Sequence, residues 1–116
     1  MTANTDTLGP LIDLAVGRTV GGEPMFIRPQ IREALLRCTA LDIAVVGLEL
    51  FSMCSNGYRT EALSSYEIQV GGLPWHDFVS RNNELAAVFV SQNPSAGDQF
   101  YLLTALTHQK YQNCSS

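Results

Sequence analysis

The chain has 116 residues, of which 46% are hydrophobic; that suits one domain with its own core and excludes a disordered tail. Its formal charge is −4, and its seven cations (Arg18, Arg28, Arg32, Arg37, Arg59, Arg81 and Lys110) are scattered, which argues against nucleic acid as a partner. No apolar run approaches the roughly 20 residues that span a bilayer, no secretory leader is visible, and three widely spaced cysteines (Cys38, Cys54, Cys114) fit reduced thiols, so a cytoplasmic protein is expected.

Leu8, Leu11, Ile12, Ala15 and Val16 recur at helical spacing. Thr7 or Asp6 is the expected N-cap, Pro10 falls in the first turn and Gly17 stands where a C-terminal glycine belongs. From Arg18 to Arg28 the signals are mixed. Gly21, Gly22 and Pro24 break structure, while Met25-Phe26-Ile27 reads as a brief strand or an apolar plug. Pro29 then opens a helix through about Thr39, with Ile31, Ala34, Leu35 and Cys38 as its apolar stripe and Glu33–Arg37 as an i,i+4 pair. On that stripe Cys38 is a small core residue before it is a nucleophile.

The densest apolar stretch is Leu41–Cys54. With Ser55-Asn56-Gly57-Tyr58 and the wetter run Arg59–Gln69 it predicts a β-hairpin, because Asn56 and Gly57 tolerate positive φ. Alternation puts Ile43, Val45, Gly47 and Phe51 on one face of the first strand and Ala44, Val46, Leu48 and Leu50 on the other. A strand apolar on both sides is covered on both, or has one face in an interface. A two-residue turn pairs Met53 with Thr60, Phe51 with Ala62, Glu49 with Ser64 and Val45 with Ile68, unless a bulge at Ser64-Ser65 breaks the register.

Gly71-Gly72-Leu73-Pro74 is a turn. A long helix follows from about Pro74 to Val90, its stripe made of Trp75, Phe78, Val79, Leu85, Ala86 and Phe89 and its first turn carrying Asp77. Asn82 interrupts that stripe, and an amide there is expected to bind a strand end or loop. Asn93–Asp98 turns the chain into a last strand, Phe100–Leu106. The whole predicts a single α+β domain over 1–116: a small antiparallel or mixed sheet built on the hairpin and packed by amphipathic helices, with 1–6 and 107–116 frayed.

Glu49 is a carboxylate inside the most apolar strand. It reads as a glutamate on an edge or rim, or one paired with an arginine such as Arg59 or Arg81, before it reads as a general acid or base. Cys54 with His76 and Asp77 has the ingredients of a thiol nucleophile, its base and an orienting acid, but no local signature surrounds the cysteine. His76 and His108 lie 32 positions apart with no cysteine at ligand spacing, so no metal and no cofactor is expected. Asp77, Arg81 and Glu84 share the polar side of the long helix. With Glu61 and Glu67 on the wetter hairpin strand, they are the candidate partner-binding residues, an acidic surface suited to a basic protein. For any one of these charges an ordinary solvated face is the competing reading.

The apolar hairpin, the helix Trp75-His-Asp-Phe-Val-Ser-Arg-Asn-Asn-Glu-Leu-Ala86 and the strand Tyr101-Leu-Leu-Thr104 in a short acidic chain resemble the small immunity proteins of bacterial toxin systems. The resemblance is one of overall pattern over residues 40 to 106 and has no diagnostic motif. It implies a non-enzymatic protein that neutralises a cognate toxin by direct binding, and it transfers no site residue. An acidic secretion chaperone, which implies a homodimer, is the second reading. A small hydrolase or isomerase using Glu49 or Cys54 is the third.

Overall fold

The computed structural model describes residues 8–19, 21–54, 57–65 and 73–109. The chain is an α+β fold. A 3-10 helix (Gly9–Leu14) leads to a two-residue strand β1 (Gly17–Arg18), then β2 (Pro24–Met25) and helix α1 (Arg28–Ala40). Strand β3 (Ala44–Cys54), β4 (Gly57–Ser65), helix α2 (Trp75–Gln92) and β5 (Gln99–Leu106) follow.

The first helical segment is shorter and tighter than its spacing predicts. Leu8 occupies the N-cap position, in place of Thr7 or Asp6, which lie outside the described residues, and Pro10 is in the first turn as expected. Leu8 and Leu11 are buried, but Val16 is exposed and Gly17 is not a helix cap. It pairs with Met25 in the small β1–β2 ladder, which ends the helix early. Met25-Phe26-Ile27 serves as strand and plug together. Phe26 is fully buried, its N–H donates to Tyr101 O at 3.0 Å, and Tyr101 N–H donates back to Phe26 O at 2.8 Å.

Helix α1 follows its pattern closely. Pro29 stands in the first turn, and Ile31, Ala34, Leu35 and Cys38 are its buried residues. Arg37 does not pair with Glu33. Its guanidinium donates to Asp13 Oδ1 at 2.6 Å and to Pro10 O at 3.1 Å, tying the helix to the 3-10 segment.

Strand β3 is central in the sheet order β4-β3-β5, antiparallel to both neighbours. Two bulges set its faces. Between Val45↔Ala105 and Gly47↔Thr104 the extra residue is Val46, so Val45, Leu48 and Leu50 all point to the helices. The simple alternation predicted from the sequence breaks there. The second bulge is at Glu61, between Leu50↔Ala62 and Phe51↔Thr60, rather than at Ser64-Ser65. The hairpin closes with Cys54 opposite Gly57, so Met53 faces Tyr58, Phe51 faces Thr60 and Glu49 faces Leu63. Gly57 has φ +125°, the positive value expected of it. Asn56, Glu67, Ile68, Gly71, Gly72 and Cys114 lie outside the described residues.

Helices α1 and α2 cover one face of the sheet, burying Leu48, Leu50, Tyr101 and Leu103 with Ile31, Leu35, Ala86, Phe89 and Val90. Leu85, expected in that stripe, is 44% exposed, because the buried arc of α2 runs instead through Phe78, Val79, Asn82, Asn83 and Ala86. Two consecutive asparagines are thus inside. Asn83 fastens α2 to the start of β3, and Asn82 is fully buried beside it. The helix therefore turns an amide edge, rather than Leu85, toward the sheet.

Candidate functional site

The other face of the sheet carries no covering layer among the described residues. Cross-strand partners share a face, so the register identifies its members. Gly47, Glu49, Phe51 and Met53 come from β3; Tyr58, Thr60 and Leu63 from β4; Phe100, Leu102 and Thr104 from β5. Leu63 is 69% exposed, and Tyr58, Met53, Thr60 and Thr104 are exposed too. Phe51 is buried although it lies on this face. Tyr58 meets it edge-on with ring centres 5.2 Å apart, and Phe100 lies at 5.9 Å from the other side.

Glu49 sits among these side chains, with Leu63 opposite on β4 and Leu102 opposite on β5. It is half-buried and accepts a hydrogen bond from Thr60 Oγ1 at 2.5 Å. Of its two structural readings, pairing with Arg59 or Arg81 does not occur. Arg59 pairs with Glu61 on its own strand at 2.8 Å, and Arg81 stands exposed on α2. Neither the α1–α2 groove nor the small pocket at Ile27, Pro29 and Gln99 includes Glu49.

The five residues expected to bind a partner are spread out. Glu61 is the bulged residue of β4, and its carboxyl is held below the usual carboxylate range by hydrogen bonds from Arg59 and then Ser52. Ser52 belongs to the helix side of the sheet, so Glu61 turns away from Glu49. Asp77, Arg81 and Glu84 are exposed on α2, as their spacing predicts. Glu67 lies outside the described residues. Glu84 also borders a shallow groove of about 600 Å³ between α1 and α2, with Arg32, Leu36 and Ala87 on its walls.

His76 is placed by Asp42, not by Asp77. Asp42 forms the turn between α1 and β3 with φ +56°, and its Oδ1 meets His76 Nδ1 at 2.9 Å. Trp75 Nε1 donates to Asp42 O at 2.9 Å, and the Trp75 ring stacks on His108 at 4.9 Å. The hydrogen bond that His76 Nδ1–H donates to the Asp42 carboxylate, with the charges of Asp42 and Asp77, raises the His76 pKa. Cys54 ends the 11-residue strand that begins two residues after Asp42. At roughly 3.3 Å per residue the two ends are about 30 Å apart, so cysteine and histidine do not form a catalytic pair. The Cys54 side chain is itself outside the described set.

The sequence reading missed Leu63, Phe100 and Leu102 as a surface. The signal was there, since β3 and β5 are apolar on both alternations while only two described helices are available to cover them. Compared with known protein families, characterised proteins and solved structures, the chain matches none.

Proposed function

We propose that this chain is a protein-binding domain acting as an immunity protein, which neutralises a bacterial toxin by direct contact. The observation that supports this reading is the sheet face left uncovered among the described residues, where Leu63 and Leu102 flank the Glu49 carboxylate and Phe100, Met53 and Tyr58 lie further along the same face. Isolated exposed apolar residues are ordinary, but a contiguous group on one face of a sheet marks an interaction surface. The β4 edge is a poorer candidate for strand addition. Its bulge at Glu61 and the Arg59–Glu61 pair interrupt the regular ladder that an added strand needs.

The test is to purify the product of the adjacent reading frame and titrate it calorimetrically with this chain. A one-to-one complex that suppresses the product's toxicity, and that Leu63→Asp weakens at least tenfold, is the expected result. No binding, or binding indifferent to Leu63→Asp and to the acidic residues of α2, overturns the assignment. A homodimer that Leu63→Asp dissociates would favour the secretion-chaperone reading.

A further inference from the structure

Resting on the protein-binding reading, the geometry points to the chemistry of the partner: we infer that the sheet face receives an arginine side chain, flanked by apolar residues, with Glu49 as its counter-ion. The carboxylate is fixed in the middle of β3, hydrogen-bonded to Thr60 and bordered by Leu63 and Leu102. No cation of the described chain pairs with it. Covering this face with an apolar surface alone would strip water from a carboxylate that has one hydroxyl donor, a costly arrangement.

The same constraint decides between occupants. A second copy docking face to face about a twofold axis would bring two Glu49 carboxylates into one desolvated interface, in a chain whose net charge is already −4. A partner with a central cation removes that penalty. Arginine fits better than lysine because its planar fork satisfies both carboxylate oxygens while its faces lie against apolar and aromatic groups such as Phe100. Glu49 then acts as a selector. Partners without a cation at that point are rejected by the cost of burying it unpaired.

The probe is a displayed library of random 12-residue peptides, selected on the intact chain. Enriched peptides should carry an arginine between apolar residues. A synthetic copy should lose at least tenfold in affinity when citrulline replaces that arginine, and equally on Glu49→Gln, with amide shifts centred on Leu63 and Leu102. Leu63→Arg, at an exposed position opposite Glu49, should abolish binding by supplying the cation from within, with folding checked by circular dichroism. No enrichment, enriched peptides without arginine, or indifference to citrulline or to both substitutions overturns the inference. If the adjacent gene product binds wild type and Glu49→Gln equally, the arginine assignment fails while the protein-binding reading stands. Arginine peptides that bind when that product does not give the reverse.

Discussion

Asn83 holds Val45 in place across the helix–sheet boundary: its Oδ1 accepts the Val45 N–H at 2.8 Å, and its Nδ2 donates to Ile43 O at 3.0 Å and Thr39 Oγ1 at 2.9 Å. One buried side chain thus links α2, the end of α1 and the β3 backbone just before the bulge at Val46. Asn83→Ala strands a buried donor and a buried acceptor, so the expected loss is about 2–4 kcal/mol. Urea denaturation measures it, and exchange of the Val45 amide with solvent should accelerate at the same time.

Phe78 and Leu85 lie seven residues apart on α2 with opposite fates. Phe78 is buried beside Ala44, Val79 and Trp75, so Phe78→Ala should cost about 3–5 kcal/mol. Leu85→Ala should stay within about 1 kcal/mol, since that side chain keeps much of its surface in water. Midpoints for the two variants under identical conditions check the contrast.

Tyr101 closes the loop after α2 through its hydroxyl, which donates to Asn93 O at 2.6 Å and accepts from Ser95 N–H at 2.9 Å. Tyr101→Phe keeps the ring in the core and removes both bonds. The expected loss is about 1–3 kcal/mol, with protection from hydrogen exchange lost first at Ser95.

The His76–Asp42 pair makes stability depend on pH with a definite sign. A histidine whose pKa is raised in the folded state binds its proton more tightly there than in the unfolded chain. Its contribution is complete below the unfolded value of about 6.5 and disappears as pH rises through the raised folded value. The difference in denaturation midpoint between wild type and His76→Gln should therefore shrink between mildly acidic and mildly alkaline pH. Asp42→Asn should return the His76 titration toward its ordinary range, which NMR reads directly.

Cys38 is buried, and burial pushes its thiol up to about 12, so it is a poor nucleophile in the native state. In a Cys54→Ser/Cys114→Ser background, alkylation of Cys38 should be slow in native buffer and rapid in denaturant. Fast native labelling would show that α1 opens locally.

The parts of this architecture that could be read in advance are those where one periodicity acts alone. The stripe Ile31, Ala34, Leu35, Cys38 is set off by Arg32, Glu33 and Arg37, and all four of its members are buried. β3 could not be read this way. With apolar side chains on both alternations, nothing in the pattern marks Val46 as the residue that drops out of register. Glu61 hides the second bulge for a related reason, since a polar residue on a wet strand fits either face. The hairpin register depended on a count of turn residues, and placing Gly57 in the strand moves every pair that follows. Leu85 yielded to Asn83 because three hydrogen bonds, to the Ile43 and Val45 backbone and to the Thr39 hydroxyl, orient α2 more firmly than one leucine. As for the site, Glu49 was conspicuous, but nothing in the pattern distinguished an arginine-paired glutamate from a partly exposed one held by Thr60. The surrounding face came into view only once the register fixed which leucines surround it.

The paired hydrogen bonds between Phe26 and Tyr101 have a kinetic consequence. They join positions 75 residues apart, and β5 joins the sheet by pairing with β3 across the intervening hairpin and helix. Nothing local can stand in for such contacts, so the search that closes them is long, and folding should be slow for a chain of this size. During synthesis Phe26 and the small β1–β2 ladder have no Tyr101 to close against until β5 is made. Until then β3 has one free edge, and the N-terminal segment waits on the last strand.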